Sequence, residues 1–269
     1  MIVREAIRLT SRQAAAFAPH PSDSFFTPQP RAYTLRLFDT HPPLGMNWAF
    51  PLLAVVLAYA IGSLSFAVII SQCMGLNDPR SYGSGNPGAT NVLRSGNKKA
   101  AILTLVLDAL KGFFPVLAVV LLQERLGWSQ ATASWVALAA FLGHLWPVFF
   151  KFQGGKGVAT AAGALLALEP LLGAGVLATW LLVAYATRYS SLAAIVAALS
   201  VPLYQLLFWG PSATTLALVP MSLLLIWRHE GNIRKLLAGK ESKIGQKAPQ
   251  APHEQLNKHP KPHHPKGKH

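Results

Sequence analysis

Residues 158–187 read VATAAGALLALEPLLGAGVLATWLLVAYAT, strongly apolar and without a charge except for Glu169. The fold turns on whether this stretch is one long bent helix or two separate ones. Glu169-Pro170 is a turn signal, and a proline is well suited to the first position of a new helix. Read as two, the first piece, 158–168, is too short to cross about 30 Å of hydrocarbon unaided. The count matters because it sets the side of the membrane on which every later loop lies. Loop charge therefore decides the reading.

The whole chain has the composition of an integral membrane protein. Of its 269 residues 52% are hydrophobic and only 13% charged, against about 25% charged in a soluble domain. Further apolar segments lie at 48–71, 100–122, 131–150, 191–209 and 213–227. With 158–168 and 171–187 kept apart, seven segments result. If the residues before the first lie outside the cytoplasm, the loops at 72–99, 151–157 and 188–190 all fall inside. They carry Arg80, Arg94, Lys98, Lys99, Lys151, Lys156 and Arg188, while the outer loops hold only Arg125. Seven cations against one is a strong positive-inside signal. Merging 158–187 into one span would put Arg188 and the basic C-terminal region outside. The expected fold is therefore all-α, with seven transmembrane helices, two of them short, an outer N-terminus and a cytoplasmic C-terminus.

The net charge of +14 is concentrated at the ends, with ten of the 24 Lys and Arg in 228–269 and five in 1–36. In a membrane protein such an excess reports topology and anionic lipid rather than nucleic acid. Residues 1–45 have many prolines and arginines and no sustained period. Five outer arginines oppose the derived orientation, and a physiological start at Met46 would remove them. The segment is expected to be a disordered extension or the product of an upstream start. Residues 46–245 form the membrane domain, and the Pro/His/Lys-rich stretch 246–269 is expected to be a disordered tail. The single cysteine, Cys73, excludes an intrachain disulfide and a multi-cysteine metal site.

Three loops of unusual composition share the cytoplasmic face under this topology. In QGGKG, residues 153–157, glycines Gly154, Gly155 and Gly157 lack the Cβ that would keep an anion from backbone N–H groups, and Lys156 adds a point charge. The helix that follows adds its own free N–H groups. This is not a nucleotide-binding P-loop: Phe150 stands where its first glycine would be, and Gly157 replaces the metal-binding Ser/Thr. Alone, the stretch is equally a tight turn with a snorkelling lysine. GSGNPGATN, residues 83–91, supplies Ser84, Asn86, Thr90 and Asn91, followed by Arg94, which suits a two-pronged phosphate contact. A capped, glycine-punctuated turn would look the same in isolation, but not beside a second anion-type loop. In RHEGNI, His229 and Asn232 are three apart and share a helix face, and histidine titrates near neutral pH. The cations around them also suit a helix lying on anionic lipid. Within 100–122, Asp108 and Lys111 are three apart at membrane depth and are expected to pair structurally. His144 is expected to bond a neighbour inside the bundle.

These motifs, GSGNPGATN with Arg94, LDALKG, GHLWPVFFKFQGGKGVAT and RHEGNI…LLAGKESKIG, resemble those of the bacterial membrane glycerol-3-phosphate acyltransferases that use acyl phosphate as donor. The resemblance covers about 47–245. It implies a seven-span enzyme with a cytoplasmic-side site in the inner membrane. The implied reaction transfers an acyl chain from acyl phosphate to the 1-hydroxyl of sn-glycerol 3-phosphate, giving lysophosphatidate and phosphate. By resemblance Ser84, Arg94, His229 and Asn232 are catalytic. Asn86, Thr90, Asn91, Gly154, Gly155, Lys156, Gly157 and Ser191 bind substrate phosphate, and Glu241 is structural. No metal or other cofactor is implied, and the partner would be the enzyme that makes acyl phosphate from acyl carrier protein. Glu230-Gly231 departs from the family pattern. The His-x4-Asp pair of thioester-dependent acyltransferases is missing, since Phe149 and Arg234 stand five residues beyond His144 and His229. A transporter for a phosphorylated solute would instead predict polar positions on both faces and an inverted repeat. The sequence has neither.

Overall fold

The computed structural model describes residues 48–129 and 131–246, so the expectations for 1–45, and for the tail beyond Gln246, lie outside the described residues. Among the described residues the chain is all-helical. Helices α1 (Ala49–Gly62) and α2 (Phe66–Cys73) form a pair bent by 43°. A loop and the short α3 (Ala89–Leu93) lead to α4 (Lys98–Leu122), then α5 (Ala131–Leu145) and a 3-10 turn at Val148–Phe150. The rest are α6 (Val158–Leu168), α7 (Pro170–Thr187), α8 (Ser190–Phe208), α9 (Ala213–Arg228) and α10 (Glu230–Leu237). Among the described residues, four stretches are long and apolar enough to cross a bilayer, and the α1–α2 pair makes a fifth, whereas α6 and α9 are shorter apolar helices. Large apolar side chains such as Leu52, Leu121, Leu182, Leu207 and Leu223 are exposed on the outside, the surface expected of a chain solvated by lipid.

The decisive stretch is two helices. Glu169 is extended and ends α6, and Pro170 opens α7. A side chain placed on Gly173 would strike the backbone of Leu166. In one continuous helix those residues would stand about two turns, ~10 Å, apart. The contact means that α7 folds back on α6.

Small residues set the tightest helix approaches, because packing rather than water-driven burial joins helices in lipid. Gly112 of α4 faces the backbone of Thr160, and Gly163 of α6 faces Ala109, so α4 and α6 touch backbone to backbone. Gly62 against Ala140 and Gly143 against Tyr59 do the same for α1 and α5. One core cluster, with Phe141, Leu145, Leu165, Leu172 and Leu218, joins α5 to α9.

The break between α1 and α2 was not apparent in the apolar run 48–71. It is met by a polar group from elsewhere: Lys111 Nζ donates to Leu64 O at 2.6 Å and pairs with Asp108 at 2.8 Å. Lys111 thus satisfies a carbonyl that the broken helix leaves without an intrahelical donor. Asp108 also faces His144, whose Nδ1 lies 3.7 Å from its carboxylate and 3.2 Å from Thr160 Oγ1.

Candidate active site

Four segments far apart in sequence meet at one end of the bundle, the last running from Asn232 to Ile244. Arg94, at the end of α3, donates to Ser242 Oγ at 3.0 Å. Lys156, just before α6, donates to Asn232 Oδ1 on α10. The Asn232 amide donates in turn to Glu241 Oε1 at 2.7 Å, and the same oxygen accepts the hydroxyl of Ser191, at the start of α8, at 2.9 Å. Ile244 N–H closes the arrangement on Arg188 O at 2.8 Å. Glu241 is thus the hub of a chain Lys156–Asn232–Glu241–Ser191, with Arg94 fixed one residue further along.

Each local structure explains its part. Gly83 and Gly85 have positive φ, which lets the 79–88 loop turn tightly. Asn91 is 2% exposed, and its amide is used inside that loop. It donates to Pro79 O at 2.6 Å and to Tyr82 O at 3.1 Å, and its oxygen accepts Ser84 N–H at 2.9 Å. Ser84 and Thr90 are exposed and Asn86 is half-buried. Arg80 is held by Asp78 through a forked pair, at 3.0 and 2.6 Å, and this keeps the Asp78 carboxyl below its ordinary range.

The glycine loop is seated tightly. Gly154 lies on the carbonyls of His144 and Leu145, Gly155 on the His144 ring, and Gly157, at φ 81°, on the Phe141 ring, with no room for a Cβ at any of them. Gly155 N–H donates to His144 O at 3.1 Å. Arg228 Nε and Nη2 donate to the carbonyls of Gly155 and Gly154 at 3.1 and 2.8 Å. Neither Arg228 nor His144 stood out in the sequence as a partner of this loop. The first was hidden in a basic run and the second read only as a bundle histidine.

Burial pushes the Lys156 ammonium down to about 8; Glu241 opposes this, while Arg228, Lys235 and Arg94 add to it. Burial, then the Lys156 charge, pushes His229 down to about 4, against the Leu225 carbonyl and with help from Arg228. That carbonyl lies 2.8 Å from Nδ1, and a carbonyl only accepts, so Nδ1 carries the proton and Nε2 keeps its lone pair. Four cations crowd around one carboxylate, which is the electrostatics of a site that takes anions.

The glycerol-3-phosphate acyltransferase family model matches residues 52–239. The chain belongs to that family. The glycerol-3-phosphate acyltransferase of Paraburkholderia phytofirmans is 62% identical over 196 residues, 73% of this chain and 92% of that one. That of Burkholderia multivorans is 61% identical over 198 residues, again 73% and 92%. Among solved structures the chain is similar to PlsY, an integral membrane glycerol 3-phosphate acyltransferase, in its glycerol 3-phosphate form. The TM-score is 0.68 at 39% identity, covering 73% of this chain and 96% of that one. The lysophosphatidic acid form gives 0.65 at 38%. Like its family, this chain is a multi-pass membrane protein. The four converging segments all lie within or just beyond the matched residues.

Proposed function

We propose that the protein transfers the acyl group of an acyl phosphate to the 1-hydroxyl of sn-glycerol 3-phosphate, giving 1-acyl-sn-glycerol 3-phosphate and phosphate. The observation that carries this reading is that Arg94 and Lys156, from separate loops, reach adjoining anchors, Ser242 and the Asn232–Glu241 pair, beneath an excess of positive charge. Two phosphate-bearing substrates need two separated cationic positions, and these supply them. Family membership and likeness to an enzyme solved with glycerol 3-phosphate support the acceptor.

The hydroxyl oxygen of the acceptor attacks the acyl carbon, and the bond to the phosphate oxygen breaks. The protein's part is to orient the two substrates and to stabilise charge at the tetrahedral stage. We assign Ser84 a role in bonding substrate rather than in attack, since no neighbour in sequence supplies a base to activate it. Asn91 holds the Ser84 backbone, while Glu241 holds Asn232 and is itself held by Ser191. His229, neutral with Nε2 free, offers an acceptor to the attacking hydroxyl. With its pKa near 4 it is a weaker base than a phosphate monoester dianion, whose second pKa is about 6. The hydroxyl proton therefore ends on a phosphate oxygen.

We also propose seven crossings, with the site on the cytoplasmic side of the bacterial inner membrane. Loops on either side of 158–187 meet in one cluster through the Lys156, Asn232, Glu241 and Ser191 contacts. This supports a stretch that goes out and returns as an α6–α7 hairpin. The same end carries the inner-loop cations. The donor's chain is then already in the lipid while the acceptor arrives from water. The enzyme that makes acyl phosphate from acyl carrier protein would act beside it.

The reading is tested with purified protein in lipid and labelled sn-glycerol 3-phosphate, adding acyl phosphate, acyl-CoA or acyl carrier protein separately. Labelled lysophosphatidate is expected from acyl phosphate alone. Product from acyl-CoA but not acyl phosphate would overturn the donor, and label taken up into sealed vesicles without product would point to transport.

The Lys156 ionisation makes a second prediction. Its charged form persists below a pKa of about 8, so binding of a dianion weakens as pH rises through that value. kcat/KM for glycerol phosphate should fall on the alkaline side, approaching about tenfold per pH unit. The substrate is fully dianionic there, so the limb belongs to the enzyme. Lys156→Arg should move the limb beyond the accessible range, and a pH profile of both proteins checks it.

A further inference from the structure

The Gly154–Gly155 backbone is gripped from two sides. On one, the His144 carbonyl takes the Gly155 N–H at 3.1 Å. On the other, the Arg228 guanidinium gives Nε–H to Gly155 O at 3.1 Å and Nη2–H to Gly154 O at 2.8 Å. A planar peptide points its C=O and N–H in opposite directions. With the Gly155 carbonyl turned to Arg228, the N–H of Lys156 in the same peptide plane is turned away from it. The N–H groups of Gly157, Val158 and Ala159 follow at the start of α6. No hydrogen bond among the described residues uses any of these four. The loop cannot take up slack by shifting, because Gly154 and Gly155 already lie against His144, Leu145 and Pro87. Pro87 belongs to the first polar loop, so the two motifs pack closely against each other here.

We propose that Arg228 is a positioning residue for substrate phosphate, acting through the Gly154 and Gly155 carbonyls rather than on the phosphate. By holding both carbonyls on its own side it leaves the run of free N–H groups from Lys156 to Ala159 presented together for an anion. The proposal rests on the glycine loop being the phosphate site. The fork is what the task needs. Two adjacent carbonyls match two prongs of a planar guanidinium, whereas an ammonium is a single point of charge. Arg228 thereby ties the loop before α6 to the end of α9, directly beside His229 and one turn from Asn232. The residues of the third motif and the glycine loop then move as one unit.

Arg228→Lys keeps the charge and removes the fork, so it separates positioning from a general cationic field. In steady-state assays Arg228→Lys is expected to raise two constants together by about tenfold, the loss of one charge-assisted bond. These are the KM for sn-glycerol 3-phosphate and the inhibition constant for inorganic phosphate competing against it. The KM for the acyl donor and the melting temperature should change little. Arg228→Gln should raise the same two constants further. Arg234→Gln, which removes an exposed cation paired with Glu230, should leave them at wild-type values.

Wild-type constants in Arg228→Lys would overturn the clamp while leaving the loop as the phosphate site. So would a loss of turnover that tracks melting temperature while the phosphate inhibition constant holds. If phosphate does not compete with glycerol phosphate in the wild type, the loop reading fails and the clamp with it.

Discussion

Arg94→Ala should give a folded protein whose turnover is lower by about three orders of magnitude, the scale on which removing one charge-stabilising donor acts. Folding is expected to survive because α3 is anchored by other side chains. Val92 is fully buried and Asn91 binds three backbone groups of the preceding loop. What is lost is a half-buried guanidinium held in place by Ser242 Oγ at 3.0 Å. That bond draws on one guanidinium nitrogen, leaving other donors of the fork for a ligand. Arg94→Lys should recover little of the loss, since an ammonium cannot reproduce two parallel bonds to a phosphate. Steady-state turnover with both substrates saturating, beside a thermal melt, is the check. Near-normal turnover in Arg94→Ala would remove the residue from the site.

The helices were legible in the sequence because lipid makes a simple demand. Helices in lipid must be apolar and internally bonded, so the helix at 158–168 was found to the residue and that at 171–187 to within one. The same simplicity hid the break at Ser63–Ser65. Two serines and a glycine make only a shallow dip in hydropathy there, too brief to end an apolar run, and the group that makes the break tolerable is Lys111, 47 residues away from Leu64. In the site, residue types were legible and pairings were not. Glycine, amide and cation mark the three loops, yet Arg94 meets Ser242 across 148 positions and Ser191 meets Glu241 across 50. Contacts at that separation have no local period to betray them. Asn91 shows the limit well. Its composition matched a ligand for phosphate, and only its burial and three backbone bonds point to holding the loop. The glycines carry a second requirement that spacing alone did not reveal, for their missing Cβ atoms admit His144 and Phe141 as well as freeing N–H groups.

Lys156→Ala should raise the KM for sn-glycerol 3-phosphate by about a hundredfold while lowering kcat less, since a charged hydrogen bond to a phosphate in a partly buried site is worth up to ~3 kcal/mol. The lysine is charged in a place that resists it: burial and three neighbouring cations drive its pKa to about 8. An incoming dianion relieves that repulsion, so binding energy stored in the empty site is released when phosphate arrives. Removing the side chain also strips Asn232 Oδ1 of its donor, which frees the amide to rotate and weakens its hold on Glu241. Asn232→Ala should therefore share part of the same loss. In the double variant Lys156→Ala, Asn232→Ala the KM should rise by less than the product of the two single effects, because residues in one bonded network do not act independently. A fully multiplicative double variant would mean that Lys156 and Asn232 bind substrate separately. A sub-multiplicative one is what a single Lys156–Asn232–Glu241 unit, presenting one ammonium to one phosphate, requires.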